Sequence, residues 1–449
     1  MGPSPEVVEA VVRRIEADEI VAFLAQGKSC GWCRHPVRLK GARVAVDHDT
    51  EERIPVFDSA DCPDGVVLKA CGNRRETRCP SCAAVYREDA RHLVKSGLEG
   101  GKGVPATLQE HPAVLLTLTA PSFGAVHVAR GAATPCRPDN PRRRCAHGRP
   151  MACFSRHDHS EGEPGTPICP ACYRYDEAVL HNAAVPELWR RTSIYIPRRL
   201  AAILGVTQAE CRRRLRVSYL RVAEFQRRGA VHLHVIVRLD ATDGSVPVEG
   251  AEALAQACMA AARSAAVPIG ARMLRWGEQV DVSILDRGDA RAGRLAAYVS
   301  KYAVKSADAS GALDYRIRSE EDLAARRLQP HERRLVARAW VLGADPSFEA
   351  LHLRRHAHVL GYGGHFLGKS RSYSTTFTAL RRAREAWREA NRPRLEGEPA
   401  GATYEGTWRA VGIGWATRGE AALAEQSRQS VAHARRMAAF DRYDRERDG

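Results

Sequence analysis

Between residues 217 and 240 apolar and polar side chains alternate with the two-residue period of a strand, interrupted once. VSYLRVAEF (217–225) keeps the alternation, Arg227-Arg228-Gly229 reads as a turn, and AVHLHVIVRLD resumes it, so the segment predicts a β-hairpin. VLLTLTAPS (114–122) predicts a short apolar strand ending in threonines, and QVDVSIL (279–285) predicts another. AEALAQACMAAARSA (251–265), RAGRLAAYVSKYAVKS (291–306) and most of 188–215 carry helical spacing instead. Strand, hairpin, helix, strand, helix implies an α+β fold: an antiparallel sheet with helices on one face.

The flanks differ in kind. Residues 1–25 predict an N-terminal helix and 26–110 a cysteine-rich zinc module. The core runs from 111 to 306, with a second cysteine-rich zinc insertion at 131–175. Residues 307–391 are basic and mixed, expected to contact DNA, and 392–449 read as a linker followed by a polar helical tail. No internal repeat is visible.

The 449 residues suffice for two or three domains, and 44% apolar with 27% charged residues is an ordinary globular composition. Charge changes the picture. Lys and Arg number 69 against 53 Asp and Glu, a net +16, which points to an anionic partner, nucleic acid first. An Arg-rich proteome would give the same excess without one. LAAILGVTQAE (200–210) has weak helix-turn-helix character, although a pair of basic helices fits it equally. The N-terminus lacks an uninterrupted apolar core, and no run approaches the roughly 18 apolar residues of a membrane span. These features predict a cytoplasmic protein with no membrane partner, whose 13 cysteines are reduced and better read as metal ligands than as disulfides.

Eleven cysteines precede residue 173; Cys211 and Cys258 stand apart as packing residues. The first group is Cys30, Cys33, Cys62, Cys71, Cys79 and Cys82. Its two C-x-x-C pairs each offer two thiolates to one tetrahedral zinc, and Cys71 competes for one of the four places. The second group is Cys136, Cys145, Cys153, Cys169 and Cys172, with His147 and His157 as substitutes. Both groups predict structural Zn²⁺ that holds loop-rich segments lacking a core of their own.

Strand alternation places His232 and His234 on one side of a sheet, about 7 Å apart by strand rise. Chance alone gives roughly one H-x-H pair in such a chain, and His157/His159 and His356/His358 are two more. Glu224 singles out the first, because hairpin pairing can return its carboxylate to the histidines. Two imidazoles and a carboxylate suit Mg²⁺ or Mn²⁺ handling a phosphate. In AYVSKYAVK, Tyr298 and Tyr302 lie four apart on one helix face, with Lys301 and Lys305 nearby. A tyrosine hydroxyl, with an ordinary pKa of about 10, needs a polarised phosphate and a placed lysine to act as a nucleophile.

The TLT strand, then HLH, then Y-x-x-K, in that order, resembles the three motifs of the HUH endonuclease superfamily of rolling-circle replication initiators. CGNRR, HPAVLLTLTAPSFGAVH, RVAEFQRRGAVHLHVIVRLD, AAYVSKYAVK and GYGGHFLGKSRSYSTTF resemble, more narrowly, the initiators of actinobacterial plasmids and integrative elements. The resemblance spans roughly residues 30–430. It implies an HUH core and a strand-transferase that nicks one strand of origin DNA through a 5′-phosphotyrosine and rejoins it by transesterification. It also implies Glu224 as third ligand, Tyr302 followed by Lys305 as the nucleophile motif, and Tyr298 as a second nucleophile or the place of a water-activating Glu. A host polymerase extends the free 3′ end.

GGHFLGKS (363–370) satisfies the P-loop pattern, but its Ser- and aromatic-rich continuation does not open a helix. The segment instead predicts backbone contacts to DNA from Lys369, Arg371, Ser372 and Tyr373, or a purely structural role, and Arg227 and Arg228 in the turn are further DNA-contact candidates. Without an ATPase, unwinding falls to a host helicase. A zinc-dependent DNA-binding regulator that never cuts is the alternative; it explains charge and cysteines but not Glu224, the histidines or the tyrosines. A conjugative relaxase shares the chemistry, yet the third histidine and N-terminal tyrosine usual there are missing.

Overall fold

The computed structural model describes residues 4–47, 50–131, 134–158, 162–285, 294–295, 297–299, 315–391 and 401–448. The chain forms two compact units, 1–88 with 378–449, and 89–377. The first unit begins with α1 (Pro5–Glu16), α2 (Ile20–Ser29), β1 (Val37–Val46), β2 (Arg53–Asp58) and β3 (Val67–Lys69). Helix α3 (Pro80–Glu99) then carries the chain across the boundary.

The second unit is built on β4 (Ala113–Leu118), β5 (Leu215–Phe225), β6 (Val231–Ala241), β9 (Val280–Ile284) and β10 (Leu367–Lys369), in the order β10-β5-β6-β4-β9, every pair antiparallel. Between them lie α4 (Tyr175–Ile203), α5 (Gln208–Arg214), α6 (Ala251–Ser264) and the small ribbon β7 (Ala266–Ile269) with β8 (Arg272–Arg275). After β9 come α7 (Glu320–Ala325), α8 (Pro330–Leu342) and α9 (Leu353–His356). The α+β antiparallel arrangement matches the sequence pattern. Val231, Leu233, Val235, Val237 and Leu239 are fully buried in one cluster with α4 and α6, so alternate residues of β6 make the core face.

The opposite face carries His232 and His234 near one end of β6 and a buried polar network at the other. There Asp240 accepts from Arg238 Nε (2.6 Å) and Ser218 Oγ (2.5 Å) and lies 2.9 Å from His111 Nδ1. Burial opposes the Asp240 charge, yet the Arg238, Ser218 and His111 bonds hold its pKa below the usual range. Arg238 also donates to the Tyr373 carbonyl (3.0 Å), and Ser218 Oγ meets Ser372 Oγ at 2.7 Å, which ties residues 372–373 to the sheet.

The P-loop-like stretch is thereby explained. Leu367–Lys369 is a strand paired with β5, and Lys369 Nζ donates to the Ser374 carbonyl at 2.8 Å. A phosphate cradle needs that lysine free at a helix start.

The chain returns to the first unit with α10 (Phe377–Ala390), β11 (Thr403–Ile413) and α11 (Arg418–Asp448). Its sheet runs β11-β1-β2, with β3 also on β1, so strands from both ends of the chain share one sheet. The linker expected from 392 lies, up to residue 400, outside the described residues. Among the described residues no helix is long and apolar enough to cross a membrane.

Candidate metal centres and nucleic-acid site

Hairpin register pairs Glu224 with His232 and Val222 with His234, so carboxylate and imidazoles share one face. The His232 and His234 ring centroids are 4.5 Å apart, and His234 Nε2 lies 3.8 Å from Glu224 Oε2. His234 Nδ1 sits 3.5 Å from Thr117 Oγ1 on β4, the threonine of the TLT strand. Burial, then the neighbouring His234 and Arg228, push the His232 pKa down to about 4, which keeps it neutral and able to ligate near neutral pH. Its buried Nδ1 has no hydrogen-bond partner among the described residues. An uncharged imidazole with an idle nitrogen, a second imidazole and a carboxylate fit a divalent cation. Asp281 on β9 lies opposite Thr117 and so brings a further carboxylate to this face. It was missed in the sequence, where nothing local marks it.

The Tyr298 ring lies 5.5 Å from that of His234. Lys301, Tyr302 and Lys305 fall outside the described residues. Of the DNA-contact candidates, Arg227 and Arg371 are exposed. Tyr373 requires correction. It is fully buried, and its hydroxyl donates to the Val94 carbonyl at 3.4 Å, so it cannot stack on a base. Arg228 and Lys369 direct their charged ends to backbone carbonyls of the fold.

Among the described residues nine cysteines and three histidines gather into three groups whose donor atoms lie within 4.8 Å of one another: Cys33/Cys71/Cys79/Cys82, His127/Cys136/Cys153/His157 and Cys145/His147/Cys169/Cys172. Four thiol or imidazole donors at such range are the donor set of a tetrahedral metal such as zinc. In the first, Cys33 Sγ is 3.6 Å from Cys79 and 3.7 Å from Cys82. Hydrogen bonds from Cys33 and then Cys82 drive the Cys79 pKa far down toward the thiolate a metal needs. Cys71 takes the place expected of Cys30. Cys30 caps the C-terminus of α2, and its thiol turns back to the Gly27 carbonyl at 3.3 Å. The second cysteine group divides into two sites rather than one. His127 completes one of them and was not singled out in the sequence, because its partners come from far along the chain.

The family model described as replication initiator protein, pSAM2 (RepSA) matches residues 19–429. A replication initiator protein of Streptomyces ambofaciens is 38% identical over 442 residues, covering 94% of this chain and 92% of that one. No solved structure matches. The chain belongs to the replication initiator family.

Proposed function

We propose that this initiator starts replication by nicking one strand of its origin DNA. The hydroxyl of Tyr302, or of its helical neighbour Tyr298, attacks the scissile phosphorus. A tyrosine O–P bond forms as the P–O3′ bond breaks, the tyrosine proton passes to solvent, and the departing 3′ oxygen takes a proton from water. The phosphodiester energy stays in the phosphotyrosine, so a later attack by a 3′-hydroxyl can reverse the step and rejoin the strand. Lys305 and Lys301 supply positive charge near the attacking oxygen. Glu224, His232 and His234 would hold Mg²⁺ or Mn²⁺, which supplies charge against the phosphate oxygens. Host polymerase and helicase then extend the 3′ end and open the duplex. The cysteine groups are read as structural Zn²⁺ sites.

The observation that carries this reading is the carboxylate and two imidazoles on one sheet face, with a tyrosine ring 5.5 Å from His234. The test incubates the full chain with labelled single-stranded origin DNA and Mn²⁺ and resolves the products on a denaturing gel. A covalent adduct is expected with the parent protein and is lost in His232→Ala. Loss in Tyr302→Phe with retention in Tyr298→Phe identifies Tyr302 as the nucleophile, and the reverse pattern identifies Tyr298. Origin binding without any cleavage, whichever divalent metal is supplied, would mean a DNA-binding regulator instead.

A further inference from the structure

Between the end of β4 and the start of α4, the described residues of 119–174 form no helix or strand. None of the described residues between Val126 and Tyr173 belongs to the unit's apolar core. A segment of this length needs some other constraint to keep one conformation. Part comes from a short backbone ladder at its base, where His127 N donates to the Thr166 carbonyl (2.8 Å) and Ile168 N to Ala125 (2.9 Å). Further out, Arg137 and Cys153 exchange bonds of 2.8 and 2.9 Å. The tip adds only short-range bonds, such as Met151 N to the Arg143 carbonyl (3.0 Å) and Cys145 N to Arg149 (2.9 Å), and these do not tie it to the base.

The order of the ligands supplies what is missing. Along the chain they come as four pairs: His127 and Cys136, Cys145 and His147, Cys153 and His157, Cys169 and Cys172. The first and third pairs converge on one point, the second and fourth on another. Each set therefore closes a loop containing ligands of the other, so the sites are crossed rather than consecutive. In the first, His127 Nδ1 and His157 Nε2 are 3.2 Å apart, with Cys136 Sγ 3.7 Å from His127 Nδ1 and Cys153 Sγ 3.5 Å from His157 Nε2. The other nitrogen of His157, Nδ1, meets Glu163 Oε2 at 3.1 Å, the arrangement by which a carboxylate orients a metal-bound imidazole. In the second, His147 Nδ1 lies 3.2 Å from Cys172 Sγ and 3.9 Å from Cys169 Sγ.

The module also reaches the hairpin. Tyr173, next to Cys172, donates its hydroxyl to the Arg228 carbonyl at 3.1 Å. Gly165 (φ +95°) lies so close to Arg227 that a Cβ would come within 2.5 Å of its backbone. At the near end, Ala120 and Pro121 accept from the Arg228 guanidinium at 2.8 and 2.7 Å. The hairpin tip at Arg227–Arg228 is thus gripped from both ends of the insertion, three to four residues from Glu224.

We infer that residues 127–172 are a crossed two-zinc module, one ion on His127/Cys136/Cys153/His157 and one on Cys145/His147/Cys169/Cys172, and that these ions hold the hairpin tip beside Glu224. The donor sets of two sulfurs with two nitrogens, and three sulfurs with one nitrogen, select Zn²⁺ over hard cations. Tyr173 and Gly165 act as positioning residues. The placement of Glu224 matters to catalysis only under the nicking reading, so the test avoids activity altogether.

The metal content of the full chain, purified with zinc, is counted by native mass spectrometry. The remaining Cys33 group brings the expected total to three ions. Iodoacetamide labelling should spare Cys136, Cys145, Cys153, Cys169 and Cys172 together. Cys145→Ser with Cys172→Ser should raise labelling of Cys136 and Cys153 about tenfold, because the crossed loop no longer holds them. It should also speed amide exchange at Gln226 and Gly229 about tenfold while leaving Val235 unchanged. Stripping the unmutated protein with a chelator gives the same exchange readout where the variant folds poorly. Two ions with Cys136 and Cys153 labelled at free-thiol rates would overturn the ligand assignment. Unchanged exchange at Gln226 and Gly229 after metal loss would overturn the hold on the hairpin. Neither result depends on whether the protein nicks DNA.

Discussion

Arg228 sits in a turn, where arginines usually serve solvent or a partner, yet its guanidinium donates to Gln226 Oε1 at 2.8 Å as well as to Ala120 and Pro121. Its own carbonyl accepts from the Tyr173 hydroxyl and lies 3.1 Å from His331 Nε2. A lysine at this position carries its three donors on one nitrogen and cannot reach the three acceptors that Nε, Nη1 and Nη2 of the guanidinium reach separately. Arg228→Lys should therefore cost about 1–3 kcal/mol in urea unfolding of the full chain. Arg227→Lys, on the exposed neighbour, should stay within about 0.5 kcal/mol. Equal effects from the two substitutions would show that the clamp contributes nothing. At this scale the sequence was legible where partners are local. Glu224, His232 and His234 follow from alternation across one tight turn, and Cys79/Cys82 and Cys169/Cys172 are their own signal, whereas of Cys30-x-x-Cys33 only Cys33 joins a group. Tyr373 looks like a DNA contact because basic and aromatic neighbours look alike on a DNA surface and in a turn sealed against Arg238. His127 was invisible because its three partners lie 9 to 30 residues away in an irregular loop.

Elements repeat that division. The hairpin, α6 and β9 follow from periodicity, whereas β10 is a three-residue strand whose partner lies about 150 residues upstream and whose sequence imitates a phosphate loop. Helix α4 shows what long-range packing adds. It carries two internal prolines, Pro186 and Pro197, yet runs 29 residues, with Leu180, Val185, Leu188, Ile196 and Leu200 fully buried. On its buried face His181 sits 5.8 Å from the Phe123 ring and 6.1 Å from Trp276. Burial pushes the His181 pKa from 6.5 down to about 4. Between those values the unfolded chain binds a proton that the folded chain refuses. Stability must then fall as pH drops from 6.5 to about 4, by at most about 3 kcal/mol from this group. The contribution is constant above 6.5 and stops changing below 4. Unfolding free energies of the parent and His181→Gln, taken from pH 7 to 4, should converge toward acid. Parallel curves would mean that His181 is not the group that titrates.

At the scale of the whole molecule, the segment that reads in the sequence as a linker and a polar helical tail belongs to the same unit as the first cysteine group. Trp415 donates to the Cys33 carbonyl at 3.0 Å, and its ring stacks at 6.1 Å on Trp32 of the C-x-x-C turn. Five residues on, Glu420 is almost fully buried against Arg14 of α1, taking bonds of 2.7 and 3.0 Å from one guanidinium. That guanidinium also bonds Glu19 and Asp64. Both charges are out of solvent, and breaking a buried ion pair by removing one member typically costs about 3–5 kcal/mol. The bonds that Arg14 still donates to Glu19 and Asp64 place Glu420→Ala toward the lower end of that range. Deleting residues 415–449 should do more, since it removes both Glu420, the partner of Arg14, and the indole over the Cys33 turn. In that truncation Cys33 and Cys79 should become open to alkylation under native conditions, with one fewer zinc bound per chain by native mass spectrometry. A truncated chain that keeps its full metal count and shielded thiols would show that α1, α2 and the first sheet hold the site without the tail. Glu420→Gln separates the two contributions, because it keeps the shape and Trp415 while removing the charge: unfolding should shift with no change in metal count.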